Sequence, residues 1–466
     1  MQQETGKSAH TPSPDEVIDS STDLESYFSG SGKPPSQWAI GPEVELLGFT
    51  RGPLARMDSA QVQAIIRGFS PQIIDLKTEA GEITEATLVA GIYEQAGPEA
   101  PTPGEPSAGR ITLEPGGQLE FSGTQRGSLA RIERDVRGFL GRLREIGDEN
   151  GIIFLATGFD PVRGIEEQNW IGKKRYEIMR PYLSARGERA LDMMCRTAAI
   201  QVNLDYEDVE DLAKKFTLAN RLGPVAAAIF ANSPFEQGRL SGYKSTRYAV
   251  WLQTDRDRTG LSPAAIEDFS IERFLDHVRS VPMFFIRRGG EYVDLAGHSF
   301  ARFIEDGNGL KPIFQDFTDH LSTIFTEARL KPHIEQRSMD CGGAEMLMAS
   351  LAFWKGLMYS KDSLERACEL APRLSPGEFV ELQKEVARHG LQAEMGKLSV
   401  QEIAREAVGL ARAGLEALAP SETAYLDVLE QQVVRERVSP ADILIRNFEG
   451  AWKGDITRAV AYLRVA

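Results

Sequence analysis

The segment Ile200–Tyr206, "IQVNLDY", alternates without a break: Ile200, Val202 and Leu204 face one side, and Gln201, Asn203 and Asp205 face the other. A period of two is the mark of a strand, and here the second face carries amides and a carboxylate. Two other stretches repeat the pattern. In "QWAIGPEVELLGF", Gln37 to Phe49, Val44 and Leu46 oppose Glu43, Glu45 and Leu47. In "ITLEPGGQLEFSG", Ile111 to Gly123, two short alternating runs flank Pro115-Gly116-Gly117, where glycine supplies the positive φ that a tight reversal requires. That is a hairpin with Glu114 just before its turn and Glu120 just after it. Each of these strands has one polar-bearing face.

The segments between these strands read as helices and loops. Residues 96–109, rich in Pro and Gly, form a loop that delivers the hairpin. A helix is expected from Thr124, with Leu129, Ile132, Val136, Phe139, Leu143 and Ile146 at a spacing of three and four and Gly151 as its stop. After Tyr206 a helix opens on Glu207, Asp208, Glu210 and Asp211 and carries Lys214 and Lys215 later, the order the helix dipole favours. "EYVDLAG" (Glu291–Gly297) and "RLKPHIEQRSMD" (Arg329–Asp340) are further strand candidates. Beyond about Ser350 the chain turns helical, with a capping box at Ser399 and Glu402 and a helix start at Ser439-Pro440. The fold class is α+β with a helical C-terminal part over 350–466. Residues 1–37, rich in Ser, Thr, Pro, Gly and Glu without an apolar core, read as a flexible tail and not as a signal peptide.

Charge and cysteine content narrow the function classes. Lys+Arg 53 against Asp+Glu 68 leaves a net charge of −15, and the densest basic run, Lys173-Lys174-Arg175, is too short to carry nucleic-acid binding. No uncharged apolar run reaches the roughly 18–20 residues needed to span a membrane. Cys195, Cys341 and Cys368 share no metal-ligand spacing, and their odd number fits a reduced cytosol, so a cytoplasmic location is expected.

Polar groups on or beside strands come from four segments: Glu43 and Glu45; Glu114 and Glu120; Gln201, Asn203 and Asp205; and Glu335. Glu43 and Glu45 project from one face of one strand. Like charges so close call for a neutralising cation or basic group, and an all-oxygen set suits Mg²⁺ or Mn²⁺, most often in company with nucleotide phosphates. A lone E-x-E reads more readily as two solvated glutamates on an open face. Lys173, Arg175, Arg180, Arg247, Arg258 and Arg337 form a basic counterpart, since arginine's planar fork suits phosphate and carboxylate. Arg337 stands out because it should share a strand face with Glu335. There is no G-x-S-x-G elbow, Walker loop, G-x-G-x-x-G or H-E-x-x-H, and the six histidines are scattered. Carboxylates, arginines and a divalent ion without a side-chain nucleophile fit phosphoryl transfer by positioning and charge neutralisation.

These same segments resemble the plant-type glutamate–cysteine ligases. "ITLEPGGQLEFSG" is similar to their signature hairpin, "IGPEVELLGF" to their first metal-binding strand, "GKKRYEIMRPY" to a K-x-RY-x-x-M-R segment and "RTAAIQVNLDY" to an R-T-x-x-x-Q-x-N-x-D strand. "FANSPFEQGRLSGYKSTRYAVWLQTDRDRTG", "VPMFFIRRGGEYVDLAGHSF", "EARLKPHIEQRSMD" and "SPADILIRNFEGAWKGD" match in order, so the resemblance runs from about Gln37 to the C-terminus. It implies a single catalytic domain over 38–466 built on the antiparallel β-sheet funnel of the glutamine-synthetase-like superfamily, flanked by helices. The implied reaction is ATP-dependent ligation of the γ-carboxylate of L-glutamate to the amino group of L-cysteine through a γ-glutamyl phosphate, giving γ-glutamylcysteine, ADP and phosphate, the first step of glutathione-type thiol biosynthesis.

By matching positions, the resemblance makes Glu43, Glu45, Glu114, Glu120 and Glu335 metal ligands for Mg²⁺ (or Mn²⁺), with ATP as co-substrate and Arg337 and Glu45 as catalytic residues. It makes Lys173, Arg175, Arg180, Gln201, Asn203, Arg247 and Arg258 contacts for ATP or substrate. The partners expected are small molecules only, with the chain a monomer or homodimer. Three departures stand against the family pattern: Val44 where a histidine is usual between the glutamates, a longer and more Pro-rich segment over 71–109, and "RSMDCGG" for R-G-A-D-G-G, which adds Cys341. Two alternatives stay open: the same fold and acyl-phosphate chemistry with another amine acceptor, and a non-catalytic binding or regulatory protein of the same fold.

Overall fold

A computed structural model of the chain describes residues 12–19, 22, 24–70, 72–79, 81–89, 107–266 and 268–466. Its centre is a nine-stranded sheet. In chain order the strands are β1 (Ile40–Thr50), β2 (Ile73–Glu79), β3 (Glu82–Leu88), β4 (Gly109–Leu113), β5 (Leu119–Gly123), β6 (Ile152–Leu155), β7 (Ala199–Leu204), β8 (Ala328–Leu330) and β9 (Ile334–Asp340). They lie side by side as β8-β9-β7-β1-β5-β4-β3-β2, with β6 paired to β1 off that path, and every pairing is antiparallel.

The register turns the alternation in the sequence into two faces. Ala86, Ile111, Phe121, Val44, Ile200 and Met339 are successive cross-strand partners, and all are buried. The helices α1 (Leu129–Asn150) and α6 (Ala344–Tyr359) pack over this side, with Phe139 stacked on Phe121 at 4.3 Å between ring centroids. Pairs of this kind add roughly 0.5–1.5 kcal/mol to the area they bury. Val44, the residue that departs from the family pattern, points into this core and away from the site. The other face carries rows of polar partners: Arg329, Glu335 and Asn203; Gln201, Glu43 and Ser122; Glu45, Glu120 and Thr112.

The helices that frame the polar face are α2 (Lys174–Ser184), α3 (Ala190–Arg196) and α5 (Thr246–Trp251), whereas α4 (Val209–Arg221) packs on the apolar side, where Gln336 Nε2 donates to the Ala219 carbonyl (2.8 Å), and α7 (Val400–Leu418) packs behind α6. α1 begins at Leu129, five residues after the expected start, and ends at Gly151 with φ 67°, as its stop signal requires. "EYVDLAG" supplies a strand, Glu291–Asp294, that pairs only with Phe285–Arg288 and stays out of the large sheet. The helical C-terminal part opens at Ala344.

The segment read as a flexible tail is corrected over its described part. Ile18, Leu24 and Phe28, spaced among polar residues, are buried. Phe28 meets the rings of Phe274 and Phe317, the Tyr206 hydroxyl donates to the Phe28 carbonyl (2.7 Å), and Lys33 pairs with Asp205 at 2.7 Å. A few apolar side chains suffice to dock a segment whose average composition looks disordered. Residues 1–11 and 90–106, which include most of the expected Pro/Gly-rich loop, lie outside the described residues.

Candidate active site

The polar face of the sheet floors a cavity of about 310 Å³, lined among others by Glu43, Glu45, Glu114, Glu120, Gln201, Arg175, Arg247, Arg329, Lys331, Glu335 and Arg337. Its charges are sorted by strand. Glu43 and Glu45 on β1 and Glu114 and Glu120 on the β4–β5 hairpin make an acidic side. Glu120 pairs in register with Thr112, two residues before Glu114, so both hairpin glutamates share one face across the turn. The turn is clamped from below. Arg56 Nη2 donates to the Gly116 carbonyl (3.0 Å), Gln118 Nε2 donates to the carbonyls of Met194 (3.1 Å) and Thr197 (3.0 Å), and Gly116 lies against the backbone of Cys195.

Hydrogen bonds fix the acidic side but leave its charge unbalanced. Glu43 accepts from Asn203 Nδ2 (2.8 Å), and Glu45 accepts from the Ala199 amide (2.8 Å) and Gln201 Nε2 (2.9 Å). Glu120 accepts from the Thr112 hydroxyl at 2.7 Å. None of the four carboxylates forms an ion pair among the described residues. Burial, then Glu335 and Glu120, push Glu43 up to about 7, and burial, then Glu114 and Glu120, push Glu45 up to about 8. Burial and the neighbouring carboxylates outweigh the opposing pull of Lys331 on Glu43 and of Arg247 and Arg337 on Glu45.

The basic side is the reverse. Glu335 on β9 is fully buried, yet Arg329 binds it with two nitrogens (Nε at 2.6 Å, Nη2 at 3.0 Å), Lys331 Nζ at 2.6 Å and Arg337 Nη1 at 3.1 Å. Burial opposes its charge, but the three cations overcome this and hold it well below the carboxylate range. Its oxygens are committed, so Glu335 serves as counter-ion to the basic wall and not as an open metal donor. Arg337 also donates to Gln201 Oε1, which joins the two sides through one amide.

The remaining sequence-derived candidates divide. Lys173 is buried, donates to the Leu113 carbonyl (2.7 Å) and is lowered to about 8 by burial and then Arg175. Arg175 lines the cavity; burial works against its charge, but Tyr176 and Glu114 hold it above its ordinary value. Asn203 lies beneath Glu43 and keeps a buried Oδ1 without a partner. Arg247 reaches the cavity while donating to the carbonyls of Arg337 (2.8 Å) and Ser338 (3.2 Å), at the point where β9 breaks register with β7.

Two expected contacts are corrected. Arg258 is wholly buried away from the cavity, bonded to Asp255 (2.8 Å) and the Pro282 carbonyl (2.6 Å) and lying over Phe284 at 3.9 Å. Arg180 is exposed and stacks on Trp170 at 4.1 Å. Arg329 and Lys331 were not anticipated. The signal for them lay in the hairpin "RLKPHIEQR", where Pro332 marks a turn that sets Arg329 opposite Glu335.

Among the described residues no three carboxylate, imidazole or thiol groups stand close enough to form a finished cation cage. The donor chemistry nonetheless fits a hard divalent ion: four carboxylates line one cavity, and Glu43 and Glu45 are held above their ordinary range there.

The family profile described as "Glutamate-cysteine ligase family 2 (GCS2)" matches residues 39–462. The chain belongs to that family. The chloroplastic glutamate–cysteine ligase of Nicotiana tabacum is 35% identical over 435 residues, covering 92% of this chain and 80% of that one. Ligase B of Oryza sativa subsp. japonica is 35% identical over 439 residues (93% and 85%), and the Arabidopsis thaliana ligase 34% over 435 (92% and 80%). These relatives of the family 2 ligase are chloroplastic, which overturns the expected cytoplasmic location: the cysteine argument spoke to redox state, and a reducing plastid meets it equally. Among solved structures, the glutamate–cysteine ligase of Francisella tularensis in complex with AMP superposes with a TM-score of 0.53 over 89% of this chain and 85% of that one, at 12% identity. That is a likeness of fold, and it agrees with the glutamine-synthetase-like α+β architecture expected.

Proposed function

We propose that this family 2 ligase joins the γ-carboxylate of L-glutamate to the amino group of L-cysteine with cleavage of ATP. The observation that carries the reading is the sorting of charge across one cavity, four carboxylates without ion pairs facing Arg175, Arg247, Arg329, Lys331 and Arg337. Phosphoryl transfer from nucleotide to carboxylate brings anions together, and that geometry supplies cations on one flank and carboxylates suited to a divalent ion on the other.

A γ-carboxylate oxygen of glutamate attacks the γ-phosphorus, and the bond to the β-phosphate oxygen breaks, releasing ADP. The amine nitrogen of cysteine then attacks the acyl carbon of the γ-glutamyl phosphate. The carbon–oxygen bond breaks, phosphate leaves, and the nitrogen gives up a proton. Arg337, oriented by Glu335 and Gln201, neutralises the phosphoryl oxygens, and Arg329 and Lys331 extend that wall. Arg175 and Arg247 hold substrate carboxylate or phosphate at the rim. Glu43, Glu45, Glu114 and Glu120 would hold Mg²⁺ or Mn²⁺, which when bound shields the nucleotide's phosphate charge.

The test is direct: purified protein with ATP, Mg²⁺ and glutamate is offered cysteine and a panel of other amines, with ADP release and product mass recorded. Cysteine-dependent γ-glutamylcysteine supports the reading, product with another amine alone replaces the acceptor, and no turnover with any amine refutes it.

A further inference from the structure

β2 closes one end of the large sheet, and no strand among the described residues pairs with its outer edge. Both ends of the strand are anchored. Ile73 packs against the core, and Glu79 accepts from the Lys174 amide at the start of α2 (2.7 Å). Between them residues 74–78 are all exposed, with Ile74 60% and Leu76 45% open to solvent. Val89, just past the end of β3, adds a third apolar side chain. Three of the eight large apolar residues exposed among the described residues thus stand at one edge. An open strand edge beside apolar side chains is a template for another strand.

This edge is complementary to itself. A second copy laid antiparallel about a twofold axis at Leu76 sets Leu76 opposite the partner's Leu76, Asp75 opposite the partner's Lys77, and Ile74 opposite the partner's Thr78. The two faces agree with that register. Leu76 lies across from Ala86 of β3 on the apolar side, while Asp75 and Lys77 lie across from Thr87 and Glu85 on the polar side. The axis therefore joins two leucines on one face and two opposite-charge pairs on the other. A slip of the axis by one residue sets Asp75 against the partner's Asp75, or Lys77 against the partner's Lys77. A lysine on an edge strand ordinarily guards it against pairing; here Asp75 turns that guard into a contact. The bulge of β2 falls at Ile74, the limit of the exposed stretch, and leaves Asp75 to Lys77 regular. Lys77 also lines a cavity of about 360 Å³ that reaches Glu114 and Glu120, so the paired edge stands beside the acidic hairpin.

We propose that β2 pairs with β2 of a second copy of this chain, joining two nine-stranded sheets across a twofold axis at Leu76 in a weak dimer. The experiment is sedimentation velocity from about 1 to about 100 µM, the span over which a small interface fills, with hydrogen exchange over Ile73–Glu79 followed across the same span. The wild type passes from monomer to dimer as concentration rises, and the amides of 74–78 slow only at the high end. Asp75→Lys and Lys77→Asp each place like charges opposite one another and move the midpoint about tenfold higher or beyond reach. An equal mixture of the two variants, and the double variant carrying both changes, associate as the wild type does. Both positions are exposed, and unchanged circular dichroism shows that each variant is folded. A wild type that is monomeric at every concentration overturns the proposal. So does a dimer that either single variant retains, or one that the mixture or the double variant fails to restore. Slow exchange over 74–78 at every concentration shows the edge covered within one chain and overturns it equally.

Discussion

Replacing Glu43 by glutamine separates a carboxylate kept for its charge from one kept for its shape. Glutamine retains the size of the side chain and an oxygen for Asn203 Nδ2, but it cannot ionise. Burial and the neighbouring Glu335 and Glu120 raise Glu43 from 4.5 to about 7. A carboxyl raised in the folded state holds its proton more tightly there than in the unfolded chain. Its contribution to stability is therefore full below about pH 4.5 and is lost as pH rises through about 7. At about 1.4 kcal/mol per unit, the loss at this one group reaches up to about 3 kcal/mol. Without divalent cations, Glu43→Gln should be more stable than the wild type by up to that amount at pH 8, with the gap closing toward pH 4.5. Urea unfolding in EDTA, followed by circular dichroism at both pH values, measures it. Adding Mg²⁺ with ATP should then stabilise the wild type more than the variant, and ligation should be lost in the variant. A variant no more stable than the wild type at pH 8, or an advantage that persists unchanged at pH 4.5, would refute the claim that this carboxylate awaits a cation.

Glu335→Gln should behave in the opposite way: it strips the counter-ion from Arg329, Lys331 and Arg337, and a loss of roughly 3–5 kcal/mol in denaturant unfolding is expected alongside lost turnover. Gly116→Ala would set a Cβ 2.4 Å from the Cys195 carbonyl oxygen and 2.6 Å from its Cα. The hairpin must shift, so a lower melting temperature and a fall in kcat are expected together. Arg258→Lys gives up part of a buried network just behind the cavity wall, where Arg258 bonds Thr323; its melting temperature should drop, while the KM values for ATP and glutamate in the folded fraction stay where they were. A KM for ATP raised tenfold would return Arg258 to the site.

Much of this was legible before any coordinates. Period-two alternation told which side chains of β1, β5 and β7 share a face, because a strand leaves its residues no other choice, and the hairpin followed from the chemistry of Pro115-Gly116-Gly117. What alternation cannot report is which cation reaches which carboxylate. Arg258 and Arg337 both sit in matching motifs, yet one turns into a buried network with Asp255 and the other into the cavity, a difference made by tertiary packing. Arg180 fails for the same reason, drawn onto Trp170 at the surface. Lys331 was missed because a lysine beside a turn looks like any surface lysine until β8 folds it over Glu335. The docked segment around Phe28 shows the converse, where a few well-placed rings outweigh a composition that reads as unstructured.

Gln201 has a consequence for how the two flanks communicate. Its amide gives hydrogens to Glu45 and takes one from Arg337, so turning it over would point NH₂ at a guanidinium and oxygen at a carboxylate, making two attractions into two repulsions. The side chain is thus locked in one sense, and a ligand that draws charge from Glu45 must be felt at Arg337 through a single rigid link.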